Sequence, residues 1–246
     1  MTLTVLGTST PYPRPDQPCS GYLVRTPTTA LWVDAGSGTF AELQRHMDLE
    51  RLDAIWISHL HPDHAGDLPA IANWLINRPY ATVPLPIYGP PKWSKRLDSF
   101  LPTDPALLAG RIDIHDLADG DEAVVGGLHL VSRFVQHGVP TFGLRVSYGR
   151  HVLAYSGDSG PCDALVELAR DATWFLCEAG VAEQPPGDSS GHCTPENAAV
   201  IARNAQATLL VLTHLAPGLE AHVARQRALG HFPHVEVAVS GAEFRA

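Results

Sequence analysis

The chain is poor in charge. Of its 246 residues, 17% are Asp, Glu, Lys or Arg, and 17 basic residues face 26 acidic ones. The net charge of -9 with neutral histidines, and no basic face evident along the chain, argue against a long polyanion as partner, because bound phosphates call for clustered Lys and Arg. Cysteine is scarce as well. Cys19, Cys162, Cys177 and Cys193 lie far apart with no CxxC pair, which excludes a disulfide framework and fits a reducing cytosol. No apolar run approaches the ~20 residues that span a bilayer. The opening MTLTVLGTSTPYP has no basic segment followed by a long apolar one, so neither a secretory signal nor membrane contact is expected. At 45% hydrophobic, the chain is neither disordered nor fibrous. What it has in excess is histidine: 13 residues of the commonest metal-ligating side chain.

Short apolar runs alternate with amphipathic stretches. Strands are expected at 2–6, 22–25, 31–34, 54–58 and 84–88, and helices at 39–47, 68–76 and 91–101. The second half repeats the rhythm, with strands at 112–115, 122–125, 128–135, 142–147, 152–156, 174–178 and 209–213. Helices are expected at 162–170, 194–204 and 220–229, and a last strand at 235–239. Thr194-Pro195-Glu196 reads as a capped helix start with proline in its first turn. The segment 184–191, QPPGDSSG, reads as a flexible loop too short to divide domains. Early hairpins followed by strand–helix units predict one domain over 1–246, an α/β sandwich of two mixed sheets with helices outside.

The chemistry concentrates in Ser58-His59-Leu60-His61-Pro62-Asp63-His64-Ala65-Gly66-Asp67, between an expected strand and an expected helix. Turns at strand carboxyl ends are the usual seat of function in α/β folds. His59 and His61, two apart, can face the same way in an extended stretch, while Asp63 and His64 fall in the turn. Imidazole nitrogen with carboxylate oxygen suits zinc or manganese.

The segment matches HxHxDH, and the chain thereby resembles the metallo-β-lactamase fold superfamily. The resemblance implies an αββα sandwich and two divalent cations, zinc before manganese. It assigns His59, His61 and His137 to a first cation, Asp63, His64 and His214 to a second, and Asp158 as the bridge. Asp34, in Val33-Asp34-Ala35-Gly36, matches an aspartate that braces the metal loop. The segments Val5-Leu6-Gly7-Thr8-Ser9, Ser20-Gly21-Tyr22-Leu23-Val24 and Gly191-His192-Cys193-Thr194-Pro195-Glu196-Asn197 resemble the ribonuclease Z-like branch, nearest its small bacterial cyclic-nucleotide phosphodiesterase-like members. That likeness gives Asp63 and His192 catalytic roles, with Glu178 or Glu196 orienting His192. Cys193 is expected to have no metal role.

The branch's long basic tRNA-gripping arm has no counterpart, and the Lys92, Lys95, Arg96 cluster is small, so tRNA is not the expected partner. The expectation is a phosphodiesterase acting on a small phosphate-containing molecule. The same cradle can also open a carboxylic ester, lactone, thioester or β-lactam, including as a biosynthetic tailoring step, and a ribonuclease Z-like endonuclease or a non-catalytic scaffold stand as further alternatives. Specificity would come from Arg14, Trp32, Trp74, Trp93 and the loops, and a homodimer is implied by the relatives.

Overall fold

The computed structural model describes residues 1–78, 83–101, 105–184 and 191–246. In the first half, strands β1 (Thr2–Gly7), β2 (Gly21–Arg25) and β3 (Ala30–Val33) lead to helix α1 (Thr39–His46) and strand β4 (Ala54–Trp56). Helices α2 (Pro62–Ala65) and α3 (Leu68–Asn77), strand β5 (Leu85–Gly89), helix α4 (Trp93–Asp98) and strand β6 (Ile112–Asp116) follow. The second half opens with an antiparallel run, β7 (Glu122–Val125), β8 (Leu128–Phe134), β9 (Phe142–Tyr148) and β10 (His151–Tyr155). Then α5 (Asp163–Ala169), β11 (Trp174–Ala179), α6 (Pro195–Asn204), β12 (Leu209–Leu215) and α7 (Ala221–Leu229) alternate, before β13 (Val235–Val237) and β14 (Glu243–Arg245).

Two seven-stranded sheets result, ordered β14-β1-β2-β3-β4-β5-β6 and β13-β12-β11-β10-β9-β8-β7. Each is mixed: β1 to β3 and β7 to β10 pair antiparallel, β3 to β6 and β10 to β13 parallel. Alternation along the strands explains the layering. In the first sheet Tyr22, Val24, Leu31 and Val33 face the second sheet, where they meet Leu144, Val146, Leu176 and Val211. Their neighbours Leu23 and Trp32 face outward onto Leu43, Ile71 and Trp93 of the helices. In the second sheet Phe175, Cys177, Leu210 and Leu212 face outward onto α5, α6 and α7. Both faces of both sheets are thus covered, giving the αββα sandwich expected.

Several boundaries differ from expectation. The strand at 54–58 ends at Trp56, because the Ser58 N–H leaves the ladder for the Asp34 carboxylate. Residues 235–239 are not the last strand: β13 stops at Val237, and β14 pairs antiparallel with β1 in the other sheet. Three residues, with only Phe244 turned to the core, are too few to show a period, so the partner strand defines them. Helix α4 is shorter than expected because Lys92 takes left-handed φ 69 before it. Residues 185–190 of the expected loop lie outside the described residues. The expected capped start of α6 is present: the Thr194 hydroxyl accepts the Asn197 N–H at 3.2 Å, and the Asn197 side chain accepts the Thr194 N–H at 3.1 Å.

Candidate metal centre

The parallel strands β10, β11 and β12 release their carboxyl ends at one edge of the second sheet, beside the end of β4 in the first. From β4 the chain turns through His59 and His61 into the single-turn helix α2, started by Pro62, which carries Asp63 and His64. The β8–β9 connection supplies His137, the turn after β10 Asp158, and the end of β12 His214. His214 is aimed inward by a left-handed backbone, φ 48, uncommon for a residue with a Cβ.

All seven groups converge. His59, His61, His137 and Asp158 present ligand atoms within 4.8 Å of one another, as do Asp63, His64 and His214. His59 Nε2 is 3.0 Å from His61 Nδ1, which is 3.4 Å from His137 Nε2. Asp158 reaches both groups: Oδ2 is 3.7 Å from His59 Nε2 and 3.4 Å from His214 Nε2, and Oδ1 is 3.1 Å from His64 Nε2. Ligands around a tetrahedral cation with ~2.0–2.1 Å bonds stand about 3.3 Å apart, so the donor set suits divalent ions.

The outer partners fix which nitrogens face the centre. His137 Nδ1 donates to the Gly191 carbonyl at 2.8 Å, leaving Nε2 with its lone pair inward. His64 Nδ1 lies 2.7 Å from Asp34 Oδ2, and His214 Nδ1 lies 2.9 Å from the Ser20 hydroxyl. Such contacts orient imidazoles and raise their basicity toward a metal. His64 Nε2 and Asp158 Oδ1 face each other at 3.1 Å, both buried, and neither has another hydrogen-bond partner among the described residues. Buried polar atoms left this way are costly, and a cation between them removes the cost. Burial pushes His59 well below its ordinary pKa and His214 down to about 4, which favours the unprotonated imidazole a cation needs. Burial works against the Asp158 carboxylate, but His214 and His64 outweigh it and hold it ionised.

Asp34, at left-handed φ 56, braces this centre. Its carboxylate accepts from Ser58 N–H (2.7 Å), Ser58 hydroxyl (2.8 Å) and Tyr155 hydroxyl (2.6 Å), besides His64. His192 stands over the other side, its ring 5.0 Å from His137 and 6.2 Å from His214. Its Nδ1 lies 2.8 Å from Glu178 Oε1. Glu178 also accepts from Ser159 N–H and Gly180 N–H. Glu196 does not join them: Arg227 clamps it through Nε (2.6 Å) and Nη2 (2.9 Å), which corrects the expectation that it belongs to the site. Cys193 is buried in the outer core. Trp32 is fully buried against Phe40, and Trp74 sits under Arg78, so neither borders the metal ligands' cleft.

Sequence reasoning missed the roles of Thr10, whose hydroxyl donates to Asp63 Oδ2 at 3.0 Å, and of Ser20, Ser58 and Tyr155. Ser58 adjoins the motif and was within reach. Thr10 and Ser20 lie between β1 and β2 and Tyr155 ends β10, all far from the motif in sequence, so their contacts with its residues have no local signal.

Fold and ligand set define a metal-dependent hydrolase of the metallo-β-lactamase fold. The profile of the beta-lactamase superfamily domain matches residues 29–215, and the chain belongs to that superfamily. It is 39% identical over 223 residues to an uncharacterised protein of Mycobacterium tuberculosis, covering 87% of this chain and 81% of that one. It is 28% identical over 247 residues to a ribonuclease Z of Mycobacterium bovis, covering 89% and 87%. The crystal structure of the metallo-beta-lactamase fold protein YhfI from Bacillus subtilis superposes with a TM-score of 0.88 at 26% identity, over 100% of this chain and 98% of that one.

Proposed function

We propose that the protein is a phosphodiesterase that uses two divalent cations, zinc before manganese, to cleave a small phosphate diester such as a cyclic nucleotide. His59, His61 and His137 would hold one cation and Asp63, His64 and His214 the other, with Asp158 between them. Bound there, two cations supply Lewis acidity and bring the pKa of a water toward ~7. The residues do the rest. Asp63, steadied by the Thr10 hydroxyl, is placed to take the proton of the attacking water. The His192–Glu178 pair is the observation that carries this reading. With Nδ1 tied to a carboxylate, His192 turns Nε2 toward the ligand cluster, where it can donate to a phosphoryl oxygen or protonate the leaving alkoxide.

The relationship to a ribonuclease Z favours phosphodiester chemistry in general, and the net charge of -9 favours a small substrate over tRNA. The test is a hydrolysis panel on the protein loaded with zinc or with manganese: bis(p-nitrophenyl) phosphate, cyclic AMP, short RNA, a lactone and a chromogenic cephalosporin. Turnover of the phosphate diesters is expected. Turnover confined to the lactone or lactam overturns the phosphodiesterase reading and leaves a metallohydrolase of another ester.

A further inference from the structure

A cavity of about 570 Å³ opens between the turn after β1 and the turn after β12. Its buried lining includes Thr10, which bonds to Asp63, and His214, so it reaches the ligand cluster directly. Thr8, Ser9 and Ser240 add hydroxyls to its wall. A single cationic side chain of the Lys/Arg type lines it, that of Arg14. The residue is half-buried on a closed turn in which Arg14 N–H donates to the Gln17 carbonyl (3.0 Å) and Gln17 N–H to the Arg14 carbonyl (2.9 Å). Its guanidinium lies 5.3 Å over the ring of Tyr12, a stacking that restrains the fork, and forms no ion pair with a carboxylate among the described residues.

A half-buried guanidinium without a counter-ion, held beside a centre for phosphate chemistry, is matched by an anion that arrives with the substrate. We infer that this cleft binds a second anionic group of the substrate, beyond the phosphate that is cleaved, and that Arg14 is its specificity-determining residue. The inference rests on the phosphodiesterase reading and narrows it: the favoured substrates are small diesters with a second phosphoryl group, and a cyclic mononucleotide leaves the Arg14 subsite unused. Asp16 and Glu220 also line the cleft, both exposed at its rim. Their exposed carboxylates oppose a bound anion, more so the further it extends toward the rim, and the direct guanidinium contact has to outweigh them.

The test compares two dinucleotides that differ by one terminal phosphate, ApA and pApA, on the metal-loaded protein and its Arg14→Gln and Arg14→Lys variants. The wild type is expected to favour pApA by about tenfold in kcat/KM, through KM, the scale of one charge-assisted contact. Arg14→Gln brings that ratio near one, and Arg14→Lys keeps part of it. A wild-type ratio near one, or an equal loss on both dinucleotides in Arg14→Gln, overturns the inference. The same pair as slowly hydrolysed phosphorothioates, titrated calorimetrically, reads the preference as a ratio of Kd values. An Arg14-dependent ratio of Kd values without turnover of either dinucleotide or of any phosphate diester in the hydrolysis panel sustains the subsite and overturns the phosphodiesterase reading, and no ratio in either measurement overturns the subsite alone.

Discussion

At the scale of single residues, the site works through paired donors and acceptors whose outer contacts set what the inner atoms can do. His192 shows this most directly. Burial depresses its pKa, but the Glu178 carboxylate outweighs burial and raises it to about 9. A donor with a raised pKa is charged below that value and loses its proton as pH climbs through it. The turnover of a phosphate diester is therefore expected to decline on the alkaline side. Glu178→Gln removes the opposing charge, so the decline moves to lower pH. His192→Ala should lower kcat by about 10²- to 10⁴-fold, the usual worth of a positioned acid, while bound metal measured by elemental analysis stays near wild type. Loss of metal on that change would make His192 a ligand, a role its closeness to Asp158 and His214 allows.

At the scale of elements, the metal loop is held from below by the turn between β3 and α1. Ala35 N–H donates to the His64 carbonyl at 2.7 Å, Ser20 N–H to the Asp63 carbonyl at 3.0 Å, and Gly36 N–H to the Ser20 carbonyl at 3.0 Å. Gly36 fits because a Cβ there would overlap the Asp63 and Ser20 carbonyl oxygens. Gly36→Ala is expected to cost about 1–3 kcal/mol by overpacking and to displace α2. Thermal melting should show the first effect and a chromophoric-chelator competition the second, as weakened metal binding. Unchanged metal affinity beside a lowered Tm would mean that this turn supports the fold and not the centre. Helix α6 presents the contrasting case. Its Thr194 cap and Pro195 were legible because capping is decided within four residues, whereas the one-turn helix α2 read as a turn because four residues carry no helical period.

At the scale of the whole molecule, the candidate ligands divide between the layers. His59, His61, Asp63 and His64 follow β4 of the first sheet, and His137, Asp158 and His214 belong to the second. Cross-sheet hydrogen bonds cluster near the same end, from Tyr22 to Thr213 at 2.7 Å and from Tyr155 to Asp34. Cations held between the sheets would bind the folded state alone and stabilise it by linkage, about 4 kcal/mol at a thousandfold excess over Kd. For a chain of this size that is a rise in Tm on the order of 10 °C. Chelation followed by zinc or manganese addition should lower and then restore Tm by that amount. A melting curve indifferent to chelation would refute a centre that joins the sheets.

The amino-acid order alone settled the alternation that buries both faces of each sheet, most of the elements, and the HxHxDH segment, because each depends on neighbours a few residues apart. The resemblance built on that segment pointed to His137, Asp158 and His214, but it left Glu178 and Glu196 as equals. Tertiary structure separated them, placing Glu178 under His192 at the end of β11 and turning Glu196 to Arg227 on α7. It alone brought Thr10, Ser20 and Tyr155 against the ligands, paired β14 with β1, and set Arg14 in a cleft. Those relations join positions separated in the sequence, some within one sheet and some across the two, and only strand pairing and packing in the folded chain define the distances between them.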